Sequence, residues 1–195
     1  MGRFVSAILI CSFSLLGGCA ISLPLNERLS YKFEEKATEL DAQKQGPIAV
    51  KWVPADFPER VDIQGASGFV GGGSRTRVPT GVAMASRINN VLDKAIGIDK
   101  ASPNILTLNV LSAKSQFKYG FASSELTYGA MQMQIKFEYA GSTWTESFSS
   151  EVKSGLAQTF GYRLENAWDQ VAYDVGRSVV SHVQKANSNL SVGAR

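Results

Sequence analysis

Apolar and polar positions alternate most cleanly in residues 126–139. Met131, Met133, Ile135, Phe137 and Tyr139 share one parity, and Gln132, Gln134, Lys136 and Glu138 share the other. A period of two predicts a strand with one packed face and one wet face. Such one-sided patterning is typical of an antiparallel sheet covered on a single side. Ala140-Gly141-Ser142 reads as a tight turn into a strand over 143–152, where Trp144, Phe148 and Val152 share a parity. Residues 105–119 open with Leu106, Leu108 and Val110 on one face but close with Phe117 and Tyr119 on the other. That change of parity predicts a β-bulge near 111–113. Residues 47–53 (PIAVKWV) read as the first core strand, punctuated by Gly46 and Pro54.

Two stretches show the helical period instead. From Thr80, a permitted N-cap, Met84, Ile88, Val91, Leu92, Ala95 and Ile96 form one apolar face, and Gly97 follows as a C-cap candidate. A longer helix is predicted over 162–185, with Leu164, Trp168, Val171, Ala172, Val175, Val179 and Val183 as its stripe. Arg163, Glu165, Asp169, Asp174 and Arg177 fall largely off that stripe, and Glu165, Asp169 and Asp174 read as a solvated face. Between the first strand and first helix lies a long connection, 54–80, with five glycines and Arg60, Arg75 and Arg77. Connections of this length are often functional or disordered. The order β-α-β-β-β-α predicts an α+β two-layer sandwich: an antiparallel sheet of about four strands with two amphipathic helices on one face.

The N-terminal region has a different pattern. Arg3 precedes an almost wholly apolar run over 4–16, which ends in Leu16-Gly17-Gly18-Cys19-Ala20. A charged start, a short apolar run and a small-residue processing site describe a secretory signal. The run falls short of the roughly 20 apolar residues a spanning helix needs. Leu16-Gly17-Gly18-Cys19 resembles the lipobox of bacterial lipoproteins. That resemblance implies cleavage between Gly18 and Cys19 and lipidation of Cys19. Ala20, where an aspartate would argue otherwise, implies sorting to the outer membrane, on its periplasmic face.

Residues 1–18 are then a lipoprotein signal peptide, 19–46 the lipidated N-terminus and a tether, 47–186 a single α+β domain and 187–195 a flexible tail. Within the tether, Leu29, Tyr31 and Phe33 alternate as in a short edge strand, while 34–44 has helix-forming composition but a thin apolar stripe. Losing the signal leaves 177 residues, an ordinary length for one domain and a tether.

Composition narrows the function classes. The formal charge of +3 includes Arg3, which leaves too little positive charge to argue for nucleic acid. Cys11 lies in the signal, so Cys19 is the lone cysteine after processing. It has no disulfide partner, and with a single histidine, His182, no His/Cys zinc cluster can be built. Neither a metal site nor a cofactor is expected.

The Gly-rich loop 65–77 lacks the Gly-Lys-Ser/Thr of a phosphate loop and the spacing of a dinucleotide fingerprint. Arg75 and Arg77 remain as a possible anion or partner contact, such as a lipid headgroup. His182 reads as a boundary residue on its helix, and Tyr119, Phe121 and Tyr128 as a small aromatic cluster at a hairpin tip. No catalytic constellation is indicated.

The element order over 47–186 further resembles small Gram-negative outer-membrane lipoproteins of the YajG type, and in outline the lipoprotein that plugs the lipopolysaccharide-assembly barrel. The comparison is carried by the lipobox, the helix around 88–96, the strand 105–111 and the helix 164–183. It implies a non-enzymatic, lipid-anchored envelope lipoprotein acting as an accessory or interaction module. Its contacts would be the membrane, through Cys19, and an envelope protein partner. The alternative is a carrier of lipid or another hydrophobic ligand, or the auxiliary lipoprotein of a transport system.

Overall fold

A computed structural model describes residues 21–22, 28–40, 42, 45–53, 61–64, 75–78, 80–118, 127–154 and 160–193. The elements are β1 (Ile21–Ser22), α1 (Tyr31–Glu39), β2 (Ala49–Val53), β3 (Val61–Gln64), β4 (Arg75–Val78), α2 (Thr80–Ala95), β5 (Ile105–Lys118), β6 (Thr127–Tyr139), β7 (Ser142–Ser154) and α3 (Phe160–Gly193). The expected α+β sandwich is present. Four strands in the order β2-β5-β6-β7 form the main sheet, and helices cover its apolar face.

The sheet is mixed rather than wholly antiparallel. β5, β6 and β7 form the antiparallel meander, but β2 runs parallel to β5, with Ala49 opposite Ile105 and Val53 opposite Asn109. The reason is the crossover: α2 lies between the two strands in sequence, and a helical crossover is the usual connection between parallel neighbours.

The meander follows its sequence pattern closely. Met131, Met133, Ile135, Phe137 and Tyr139 are buried, while Gln132, Gln134 and Glu138 are exposed. The register of β5 on β6 shifts between Val110 and Ser112, where the parity change predicted a bulge. The bulge leaves Leu111 exposed and turns Ser115 inward to a buried position. Between β6 and β7 the turn places Ala140 and Gly141 at φ 47° and 75°. Positive φ at both central positions matches the twist of a two-residue hairpin.

The helices complete the second layer. α2 buries Met84, Ile88, Val91, Leu92 and Ala95, and Gly97 follows at φ 95° as the helix stops. α3 buries Leu164, Trp168, Val171, Ala172, Val175, Val179 and Val183 and runs to Gly193, past the Lys185 expected from the pattern. Its first turn rests on Gly129 of β6. A β-carbon there would lie 2.8 Å from Arg163 C and Leu164 N, so only glycine permits this approach.

Three further expectations are corrected. Residues 29–33 are not an edge strand: Leu29, Phe33 and Ala37 are buried at four-residue spacing by α1, and Tyr31 is 74% exposed. Four is a helical spacing. The connection 54–80 contains two strands, β3 and β4, which pair antiparallel with Val61 opposite Val78 and Gln64 opposite Arg75. Finally, Asp169, read as part of a solvated face, is buried, and so is Arg163, which lies off the apolar stripe.

That last correction follows from the first. α1 forms a third helix in the layer, joining Leu29, Phe33, Ala37 and Ala42 to the core. Ala42 N–H donates to Ala95 O (2.8 Å), and Asn187 Nδ2 donates to Gln45 Oε1 (2.8 Å). The α3 surface near Asp169 is thereby covered.

Candidate functional site

Polar chemistry gathers in three places. The first is a closed cluster inside the domain. Arg87 Nε on α2 donates to Asp169 Oδ1 on α3 at 2.8 Å, with both side chains almost wholly buried. Asp169 Oδ2 accepts from Ser30 N–H at 3.3 Å, just ahead of α1. The Arg87 guanidinium lies 5.2 Å from the Trp168 ring centre, a cation–π distance. Trp168 Nε1 donates to Ser115 Oγ at 2.9 Å, and the Ser115 and Thr80 hydroxyls are 3.1 Å apart. This cluster joins the segment before α1, both long helices and β5. Its polar groups answer one another, which is what burial demands. It positions elements and offers no open face to a substrate.

The second place is a cleft of about 640 Å³ between β7, one edge of the main sheet, and α3. Glu146, Asp174, Arg177, Ser178, Ser181 and His182 are among its lining residues. Arg177 Nη2 pairs with Asp174 Oδ1 at 3.0 Å. The His182 ring stacks on Trp144 with centroids 4.2 Å apart and planes 8° from parallel, and Trp144 in turn stacks on Phe137 at 5.0 Å. His182 Nδ1 is 3.0 Å from the Ser178 carbonyl oxygen. A carbonyl only accepts, so this contact is a hydrogen bond in the forms of His182 that carry a proton on Nδ1. Glu146 Oε1, at 3.9 Å, is beyond hydrogen-bond range. Among the described residues, the buried Trp144 Nε1 and Ser178 Oγ have no hydrogen-bond partner. The cleft can hydrogen-bond a polar partner, but no serine there is shown activated by the histidine.

The third place is a cleft of about 540 Å³ at the other edge, between β2 and α2. Trp52, Gly81, Val82, Ala85, Ser86, Asn89 and Asn90 line it. Trp52 Nε1 donates to Asn89 Oδ1 at 3.3 Å, which leaves small and apolar groups along much of the helix side.

The residues singled out in the sequence fall partly outside the described residues. Cys19, Gly18, Arg60, Tyr119 and Phe121 lie outside the described residues, as do 65–74 of the Gly-rich loop. Arg75 and Arg77 occupy alternate positions of β4, opposite Gln64 and Asp62. His182 does sit at the rim of its helix, as its spacing implied. Arg87 was missed: a cation within an apolar helix face, at three residues from Met84 and four from Val91, was the available signal of a buried partner. Among the described residues no group of three or more His, Cys, Asp or Glu could hold a metal ion, and no helix is long and apolar enough to cross a membrane.

No family model matches the chain, and no curated protein matches it. Solved structures do resemble it. A Xanthomonas campestris protein of the DUF330 family aligns with 89% of this chain and 99% of its own, at 12% identity and a TM-score of 0.43. A minor lipoprotein from Acinetobacter baumannii aligns with 71% of this chain and 95% of its own, at 9% identity and a TM-score of 0.45. Rare lipoprotein B from Shewanella oneidensis aligns with 76% and 98%, at 4% identity and a TM-score of 0.33. Likeness of fold at this level transfers no function.

Proposed function

We propose that the chain is a bacterial envelope lipoprotein, lipidated at Cys19 after cleavage behind Gly18, that holds a non-enzymatic interaction domain on the periplasmic face of the outer membrane. The observation that carries this reading is Leu16-Gly17-Gly18-Cys19 at the end of a charged and then apolar leader. Membrane attachment is strong for a chemical reason. Each buried methylene contributes about 0.8 kcal/mol, so one acyl chain is marginal and several hold stably. Docking of Leu29, Phe33, Ala37 and Ala42 on the core supports this role, because few residues would then separate the folded surface from an anchor at Cys19.

Cys19→Ser tests the reading. The variant is expected to accumulate as the uncleaved precursor and to take up no labelled fatty acid. Label in the variant equal to that in the parent overturns the assignment.

The cleft beside Trp52 favours a second reading, a carrier of a hydrophobic ligand, since Val82, Ala85 and Gly81 give it an apolar side. Native mass spectrometry of the protein released from detergent separates the two. A carrier retains a ligand of defined mass; an interaction module is expected to show the mass of the lipidated chain alone.

A further inference from the structure

In the small sheet the first described strand pairs with a strand that carries two cations distant from it in sequence. β1 pairs parallel with β4, with Ile21 opposite Thr76 and Ser22 opposite Arg77. β4 pairs on its other side with β3, giving the order β1-β4-β3. Cys19 precedes Ile21 by two residues, so covalent geometry keeps their Cα atoms within about 7.6 Å. Neighbouring strands lie about 4.8 Å apart. A lipid on Cys19 would therefore tether the start of β1, and with it Thr76 between Arg75 and Arg77, within two residues' reach of the bilayer surface. A lipidated cysteine sits where acyl chains meet headgroups, and the polar layer on each side of a bilayer is about 5–8 Å deep. The start of β4 is thus confined to the headgroup layer or to the next few ångströms of water. There the potential of anionic lipids is barely screened, since the Debye length is about 8 Å at physiological salt.

We infer that the β1-β4-β3 sheet is a membrane-contact platform, on which Arg75 and Arg77 engage the anionic headgroups of the bilayer that holds Cys19. This rests on the anchoring reading above. The two arginines are not equivalent. Arg77 stands opposite Asp62, whereas Arg75 stands opposite the uncharged Gln64. A carboxylate directly across the strands offsets one positive charge, so Arg75 contributes more of the attraction. The platform also orients the domain, because a contact of β4 in addition to the lipid on Cys19 restrains rotation about the anchor.

The test uses the full lipoprotein, its lipid on Cys19 verified by mass spectrometry, in vesicles of phosphatidylcholine with or without phosphatidylglycerol. A photoreactive phenylalanine analogue is placed at Gln64, which is opposite Arg75 in the register and so on the same face of the small sheet, and, as control, at Gln134 on the exposed face of the main sheet. Phospholipid capture is expected at Gln64 in phosphatidylglycerol vesicles and well below that at Gln134. It should fall about fivefold with Arg75→Glu, or more because the charge is reversed, and less with Arg77→Glu. It should fall too at about 1 M salt, where the Debye length is about 3 Å. An analogue at Ser22, opposite Arg77, repeats the measurement if Gln64 does not tolerate the change. Capture indifferent to lipid charge, or equal at Gln64 and Gln134, overturns the platform while leaving the anchor intact. Protein without lipid on Cys19 overturns the anchor and the platform together.

Discussion

Trp168 and Trp144 border the same core, and their indole N–H groups are treated in opposite ways. Trp168 is fully buried on α3; its Nε1 donates to Ser115, and Arg87 lies over its ring. Trp144 is half-buried on the edge strand β7, stacked between Phe137 and His182, and its Nε1 has no partner among the described residues. The difference lies in what covers each site. Around Trp168, α1 and the segment before it close the helix layer, so Asp169, Arg87, Ser30, Ser115 and Thr80 satisfy one another in a dry interior. Around Trp144 the sheet ends, and the cover is one imidazole beside an open cleft. The closed cluster is therefore the side more sensitive to the loss of one partner, and the β7 edge is the side left open to solvent.

The largest expected effect breaks the closed side. Asp169→Leu leaves Arg87 buried without its counter-charge and Ser30 N–H without an acceptor, and is expected to cost about 3–5 kcal/mol. Adding Arg87→Met removes the stranded charge, so the double variant is expected to be more stable than Asp169→Leu alone. Urea denaturation of a lipid-free chain beginning at Ala20 measures both. A double variant no better than the single one means that the pair is not coupled. Next in size is Ser115→Ala, which removes the acceptor of Trp168 Nε1 and the partner of the Thr80 hydroxyl. A buried donor left unmet costs about 1–3 kcal/mol, read by the same denaturation.

These two sites also mark how far the sequence could be read. The meander was legible because a strand with one wet face records its burial in every second residue, and the bulge at Leu111 showed itself as a change of parity. α2 and most of α3 were legible by the same kind of argument. The Arg87–Asp169 pair was not. Asp169 adjoins the apolar stripe of α3 and becomes interior only because α1 covers it. α1 was misread because Leu29, Tyr31 and Phe33 alternate, while the spacing that governs the fold is Leu29-Phe33-Ala37. The parallel entry of β2 was hidden for a related reason: strand direction depends on the crossover and leaves no mark on the pattern within five residues. At the candidate sites, residue spacing located His182 at a helix edge. Its stacking on Trp144, from an element thirty-odd residues earlier, is a tertiary fact with no local trace.

On the open side the effects are smaller. His182→Ala removes a stacked ring at a partly exposed position, and an aromatic pair of this kind contributes about 0.5–1.5 kcal/mol. Its distant Glu146 adds little, as exposed ion pairs contribute about 0–1 kcal/mol. The expected loss is about 1 kcal/mol, and the indole emission of Trp144 should shift as water reaches it. If His182→Ala costs as much as Ser115→Ala, the contrast between closed and open sites fails.

The smallest effect is also the most diagnostic. Trp144→Phe deletes part of a large ring but also deletes a buried N–H that has no protein partner. The lost contact area is destabilising, while removing an unmet donor relieves a desolvation cost of about 1–3 kcal/mol. The two contributions oppose each other, and phenylalanine can still stack between Phe137 and His182. A net change within about 1 kcal/mol of zero is expected, of either sign. The matched change at the closed site, Trp168→Phe, removes a donor that is satisfied, strips Arg87 of its better ring and leaves a space in a filled interior, so it is expected to be clearly destabilising. Urea midpoints for the two variants give the comparison directly: similar losses at both positions mean that the Trp144 N–H is met in solution by water, and that the β7 edge is as well satisfied as the core.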